Sequence, residues 1–358
     1  MDKINMNKKS GRIFYFDEIR VLAIFLVILF HVSQYFARAS VKYTFFWSFT
    51  SSLKALGYVG VPLFFMISGA LLLNREYGNI MDFYKKRISR IAIPFAFWII
   101  FIVYVLVTFF NKPLTFSGIC HMVIFDGFVW FFWTILGLYL FMPVINSFIK
   151  EYSFKGAEIF LFFWILTMIL STLGKYPIDH VELRYFSGYL GYVVLGWYLR
   201  NKEFKLSNKS ILLGSVVMFL IPTAMYIFLI LNTITLSYER YYLTIFPVFQ
   251  SAGIFLFLKF IDDLSEIDRE SLFSKIHNFI KESKIGKAIL SISICSYGMY
   301  LTHYFFIRPF NILDKTFHFF SRNPFKWMPL IILIAFLGSW ALIWGMSKIP
   351  ILKRFSGV

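Results

Sequence analysis

Arg20 and His31 stand eleven positions apart in a run of otherwise apolar residues. On an α-helix that spacing returns to within about 20° of the same face and rises about 16 Å. A helix here would carry a guanidinium at one mouth and an imidazole deep in its apolar part. An imidazole with an ordinary pKa of ~6.5 can take a proton from a hydroxyl at neutral pH. The same two residues also suit a structural reading, as an arginine snorkelling to headgroups and a histidine bonded to a neighbouring helix. Asp17 and Glu18 lie about 20 Å from His31 along such a helix. Any group that orients His31 must therefore come from another segment.

A second constellation is Lys85-Lys86-Arg87-Ile88-Ser89-Arg90. Arg87 and Arg90 are at i and i+3, so their side chains can converge. Paired guanidinium groups suit the phosphates of a nucleotide-like ligand, although a basic cluster beside a membrane span also arises from topology and lipid contact alone. The segment Gly57-Tyr58-Val59-Gly60-Val61-Pro62-Leu63-Phe64-Phe65-Met66-Ile67-Ser68-Gly69 has glycines that let helices approach closely. His303, within Tyr300-Leu301-Thr302-His303, is a further histidine in an apolar run, with a structural hydrogen bond as its expected role. His121, His180, His277 and His318 read as loop residues without metal-ligand spacing, and Cys120 and Cys295 suggest neither a disulfide framework nor a metal site.

The elements that position these groups are apolar helices. Of 358 residues, 59% are hydrophobic and 15% charged, and the mean hydropathy is +0.69. A soluble domain of this length needs more surface charge. The apolar runs are long and do not alternate, which disfavours a β-barrel. The pattern predicts an all-α, polytopic membrane bundle of about ten transmembrane helices. Their spans fall near 19–37, 53–73, 91–110, 130–149, 156–173, 185–199, 211–232, 241–260, 288–308 and 328–347. The sixth is short. The polar connection 261–287 is amphipathic enough to lie along the membrane surface, and neither an internal repeat nor an appended soluble domain is evident.

Ten spans place both termini on one side, and most of the 36 Lys and Arg fall on that side. The bias predicts cytoplasmic termini, with 1–18 a cytoplasmic segment and 348–358 a cytoplasmic tail. It accounts for the formal charge of +17 without nucleic acid. Residues 21–39 have some features of a signal peptide, ending in Ala37-Arg38-Ala39, but Asp17, Glu18 and Arg20 before the run and His31 and Gln34 within it argue for a retained helix.

These motifs, taken in order, resemble the acyltransferase-3 family of integral membrane acyltransferases, mostly O-acetyltransferases of cell-surface glycans. Phe16-Asp17-Glu18-Ile19-Arg20 leads to His31 with the family's arginine, ten residues, histidine spacing. Gly60 to Gly69 follows, then Arg87-Ile88-Ser89-Arg90. Trp130-Phe131-Phe132-Trp133 through Gly137-Leu138-Tyr139-Leu140 and Pro143 also fits, as do Tyr189-Leu190-Gly191-Tyr192 with Gly196 and Ser296-Tyr297-Gly298-Met299-Tyr300-Leu301-Thr302-His303. Pro62 departs from the pattern, since many members carry an acid there.

The resemblance implies one multi-pass acyltransferase domain over 1–358 in the plasma membrane. It implies acyl-CoA, expected to be acetyl-CoA, as donor substrate rather than a resident cofactor, and a glycan or other hydroxyl-bearing acceptor. By the same resemblance Arg87 and Arg90 hold the CoA phosphates with help from Arg20, and His31 acts as general base or carries the acyl group transiently. Ser68 or Tyr300 would serve the oxyanion, and His303 would line the cavity. A flippase for lipid-linked glycans or a small-solute transporter could use the same polar groups, but such proteins usually show repeats and matched broken helices.

Overall fold

The computed structural model describes residues 12–110, 115–125, 129–173, 183–232, 242–268, 270–317 and 320–358. The helices in chain order are α1 (Phe14–Ala39), α2 (Phe45–Gly57), α3 (Gly60–Leu72), α4 (Ile80–Phe110), α5 (Phe116–Phe125), α6 (Trp130–Thr172), α7 (Leu190–Asn201), α8 (Asn208–Leu231), α9 (Ile245–Ile267), α10 (Leu272–Glu282), α11 (Lys284–Phe317), α12 (Pro324–Lys348) and α13 (Pro350–Ser356). Seven helical segments among the described residues are long and apolar enough to cross a membrane, the pattern of a multi-pass membrane protein. His180, His318 and the loop around Asp126 lie outside the described residues.

Two elements depart from a simple row of helices. One is α6, which has 43 residues and would, if straight, separate its ends by roughly 65 Å. Yet Trp130 in its first turn meets the Tyr242 ring at 5.3 Å, and Thr172 in its last turn accepts a 2.9 Å bond from the Ile245 N–H. Both ends reach the segment 242–245, so α6 folds back on itself. The fold-back is at exposed Ser153, where φ is 51° and ψ −136°, a region that costs a non-glycine residue on the order of 1–3 kcal/mol. The two arms match the expected spans 130–149 and 156–173.

The other is the span expected at 53–73, which begins earlier, at Phe45, and is broken between α2 and α3. Thr50 and Ser52 donate at 2.8 Å to the carbonyls of Phe46 and Ser48, which satisfies these hydroxyls within the helix. Pro62 has no N–H to return to the Tyr58 carbonyl, and the break falls there.

In lipid, apolar surface does not drive helices together, so close backbone packing must. At the crossing of α3 and α7 a Cβ on Gly69 would lie 1.8 Å from the Val193 carbonyl oxygen, and one on Gly196 would lie 2.0 Å from that of Met66. The contact exists only because both positions are glycine. The most apolar window of α2–α3 is 78% buried and that of α8 only 22%. The broken span is thus internal, while α8 turns Leu213, Ile221 and Phe228 outward.

Two histidines expected in loops are helical. His121 lies in α5. His277 lies in α10 and is buried, with Nε2 3.3 Å from Glu18 Oε2. Its helix is amphipathic as expected, with Leu272, Phe273, Ile276 and Phe279 exposed on the other face. Periodicity placed that face correctly but could not show that His277, on the inward side, meets a residue 259 positions away.

Candidate functional site

α1 and α11 run side by side in the same direction. Ser293 donates to Asp17 at 2.6 Å, the rings of His31 and His303 are 5.1 Å apart, and Tyr35 donates to Asp314 at 2.5 Å. Chain numbers rise together along both helices in these three pairs.

Asp17 organises the first level. It is 1% exposed, a costly place for a carboxylate unless it is paired and hydrogen-bonded. Arg12 meets both its oxygens, Nε and Nη2 each at 2.7 Å, and Arg20 Nη1 donates to Oδ1 at 3.3 Å. The bidentate fork and the Ser293 hydroxyl leave the acid well satisfied. Arg20 is thereby held by its own helix, three residues on from its partner.

Arg20 lines a cavity of about 1470 Å³, larger than the common range of roughly 300–1,000 Å³ for drug-sized ligands. Arg75, Arg87, Arg90 and Arg200 line it as well. The i, i+3 pair of α4 therefore opens onto the cavity together, while Lys85 and Lys86 are exposed and take no part in its lining. Arg87 and Arg90 make no ion pair among the described residues. Arg200 instead donates to the Ala70 carbonyl and packs 5.3 Å over the Phe16 ring. Nearby, Tyr77 donates to the Leu72 carbonyl at 2.7 Å, and burial raises its pKa, keeping the phenol protonated. Arg12 and Gly357 both line the cavity, so the two ends of the described chain reach the same cavity.

The cavity also takes in Ile67, Ser68, Leu71, Phe131 and Tyr300. Ser68 spends its hydroxyl proton on the Phe64 carbonyl at 3.0 Å. Tyr300 packs with its ring tilted 55° to that of Phe131, centroids 4.7 Å apart, and also lines a second, small chamber of about 20 Å³. By that measure the chamber is roughly one water in size. His31 and His303 are there, with Phe95, Trp98, Ile99, Trp130 and Tyr304. His31 is thus not on the wall of the large cavity; Tyr300 lines both spaces.

The ionisable side chain that another helix packs against His31 is an imidazole rather than a carboxylate, in ring contact and not hydrogen-bonded to it among the described residues. His303 Nδ1 lies 2.7 Å from the Tyr300 carbonyl and 3.2 Å from that of Met299. A carbonyl only accepts, so Nδ1 carries the proton, and Nε2 of the neutral ring carries a lone pair. This is the structural hydrogen bond expected of His303, and it leaves the other nitrogen open.

Spacing singles out Arg20, His31, Arg87 and Arg90 as candidates, and does not single out Arg12, Arg75 or Arg200, which also line the cavity, or the pairing of Asp17 with Arg12 and Arg20. Arg75 and Arg200 read as topology charges, and only tertiary packing turns them inward. Among the described residues no group of three or more His, Cys, Asp or Glu is placed to hold a metal ion.

A family model described as an acyltransferase domain matches residues 13–344. No curated protein and no solved structure matches the chain.

Proposed function

The chain belongs to the acyltransferase-3 family, and is thus a membrane acyltransferase with an acyl donor and an acceptor; from this premise we propose that it moves an acetyl group from acetyl-CoA to a hydroxyl of a cell-surface or lipid-linked glycan. One observation carries the reading. A large, arginine-lined cavity and the small chamber lined by His31 share the Tyr300 side chain.

In this account the CoA phosphates sit on Arg87 and Arg90, with Arg20 adding charge from α1. Guanidinium forks match phosphate oxygens, and contacts between charged groups are the stronger kind of hydrogen bond. The pantetheine arm follows the wall of Ile67, Ser68 and Leu71 to Tyr300 and Phe131, and because the chamber holds about one water, the Tyr300 ring moves aside to admit the thioester. His31 takes the proton of the acceptor hydroxyl, and the oxygen attacks the thioester carbonyl carbon. The C–S bond breaks, and the CoA sulfur leaves as thiolate and takes up the proton His31 acquired. The products are the O-acetyl ester and CoA. His303 keeps its fixed tautomer beside His31.

The chain crosses the plasma membrane ten times in this reading, as one domain, with both termini and the cavity mouth in the cytoplasm. The meeting of Arg12 and Gly357 at one cavity and the skew of lysine and arginine support that orientation. Sealed inverted vesicles given acetyl-CoA labelled in the acetyl group should transfer label to the glycan fraction, and sealed right-side-out vesicles should not. Equal use of external donor by both preparations would overturn the assignment of the donor side.

A further inference from the structure

Two residues that line the small chamber, His303 and Trp98, each have a buried nitrogen with no hydrogen-bond partner among the described residues, His303 Nε2 and Trp98 Nε1. They are chemically opposite. His303 Nε2 offers a lone pair, whereas an indole N–H can only donate. A buried donor without an acceptor is rare and costly, and calls for an explanation. The ring is well held: Trp98 is 5% exposed and packs on Phe97, Phe101 and Phe305 at 5.3, 5.7 and 5.5 Å.

Position gives the donor a purpose. Trp98 follows Arg87 by eleven positions on α4, the interval that separates Arg20 from His31 on α1. Each helix carries an arginine into the large cavity and, about 16 Å further on and close to the same face, a ring into the chamber. A ligand whose phosphates lie among the arginines would bring its far end to both rings at once.

We propose that Trp98 is a further catalytic residue, whose Nε1–H donates to the carbonyl oxygen of the acyl group in the transition state; this rests on the acyl-transfer reading above. When the acceptor oxygen attacks, the π pair of the C=O bond moves onto that oxygen and gives it a full negative charge. The indole N–H holds this oxyanion until the pair returns, the C–S bond breaks and the thiolate leaves. A donor held in place by its ring packing needs little reorganisation at that moment. Ser68 is excluded from this task, because its proton is bonded to Phe64 and it faces the other space.

The experiment compares wild type, Trp98→Phe and His31→Gln in acetyl transfer from acetyl-CoA, with thermal melting measured on the same samples. Trp98→Phe keeps an aromatic ring and loses the N–H, so its kcat should fall ~10²–10³-fold while KM for acetyl-CoA is little changed. Should that variant fail to fold, 3-benzothienylalanine at position 98, which puts sulfur in place of N–H in a ring of the same shape, should show the same loss. Turnover within about threefold of wild type in a folded variant lacking the N–H, with His31→Gln inactive, would overturn the role of Trp98 and leave the acyl-transfer reading standing. Absence of acetyl transfer by the wild-type protein would overturn that reading and this proposal with it.

Discussion

His31 and His303 face each other from parallel helices with ring centroids 5.1 Å apart, and His303 has one nitrogen committed to the Tyr300 carbonyl. Two imidazoles this close cannot both be protonated without mutual repulsion, and the bond to the backbone decides which nitrogen of His303 carries the proton. The pair is therefore asymmetric, with one ring fixed by its own helix and the other, His31, making no such backbone bond among the described residues. That asymmetry suits a division of work in which His31 exchanges a proton and His303 stays put.

The cavity lining separates two kinds of basic residue on α4. Replacing Arg87 and Arg90 together by Gln should weaken acetyl-CoA binding at least tenfold, a loss that needs only ~1.4 kcal/mol. Replacing Lys85 and Lys86 by Gln should leave affinity unchanged, because neither lines the cavity. Titration calorimetry on the purified variants checks both. Equal effects from the two pairs would make the whole cluster a topology signal.

Asp17→Asn keeps the shape of the side chain but gives up the charge that Arg12 and Arg20 share. Hydrogen bonds to charged groups contribute ~1.5–3 kcal/mol each, so the melting temperature should drop measurably. Acetyl-CoA affinity should fall with it, because Arg20 loses its anchor. An unchanged melting temperature would show that the two arginines are held by something other than this carboxylate.

Gly69→Ala and Gly196→Ala each place a carbon about 2 Å from a backbone carbonyl oxygen across the α3–α7 crossing, and backbone cannot move aside as a side-chain tip can. Each should cost ~1–3 kcal/mol and lower the folded yield in detergent. Gly137→Ala, whose added carbon meets nothing within 4 Å, should be neutral. Chromatographic homogeneity and melting separate the three, and a well-folded Gly196→Ala protein would contradict the close crossing.

Local rules reached part of this architecture. The eleven-residue interval placed Arg20 and His31 on one helix face because 3.6-residue periodicity is a property of the chain alone. The amphipathic face of α10 was legible for the same reason. Nothing local marks Ser153 as the point where α6 reverses, since serine is a common residue and the positive φ is imposed by contacts at Trp130 and Thr172. Nor does spacing show that Asp17 meets Ser293, 276 positions away, or that Tyr300 lines both the cavity and the chamber of His31. Those are consequences of α1 lying along α11.

The measurement that bears most directly on the whole account is made on His31→Gln. Glutamine roughly preserves volume and some hydrogen bonding but cannot exchange a proton. The variant should insert, melt near the wild-type temperature and bind acetyl-CoA with unchanged affinity, while acetyl transfer falls by at least ~10²-fold, the lower range of general acid–base contributions. A stable His31→Gln protein that transfers acetyl at a near-normal rate would contradict the account and leave His31 as a packing residue against His303.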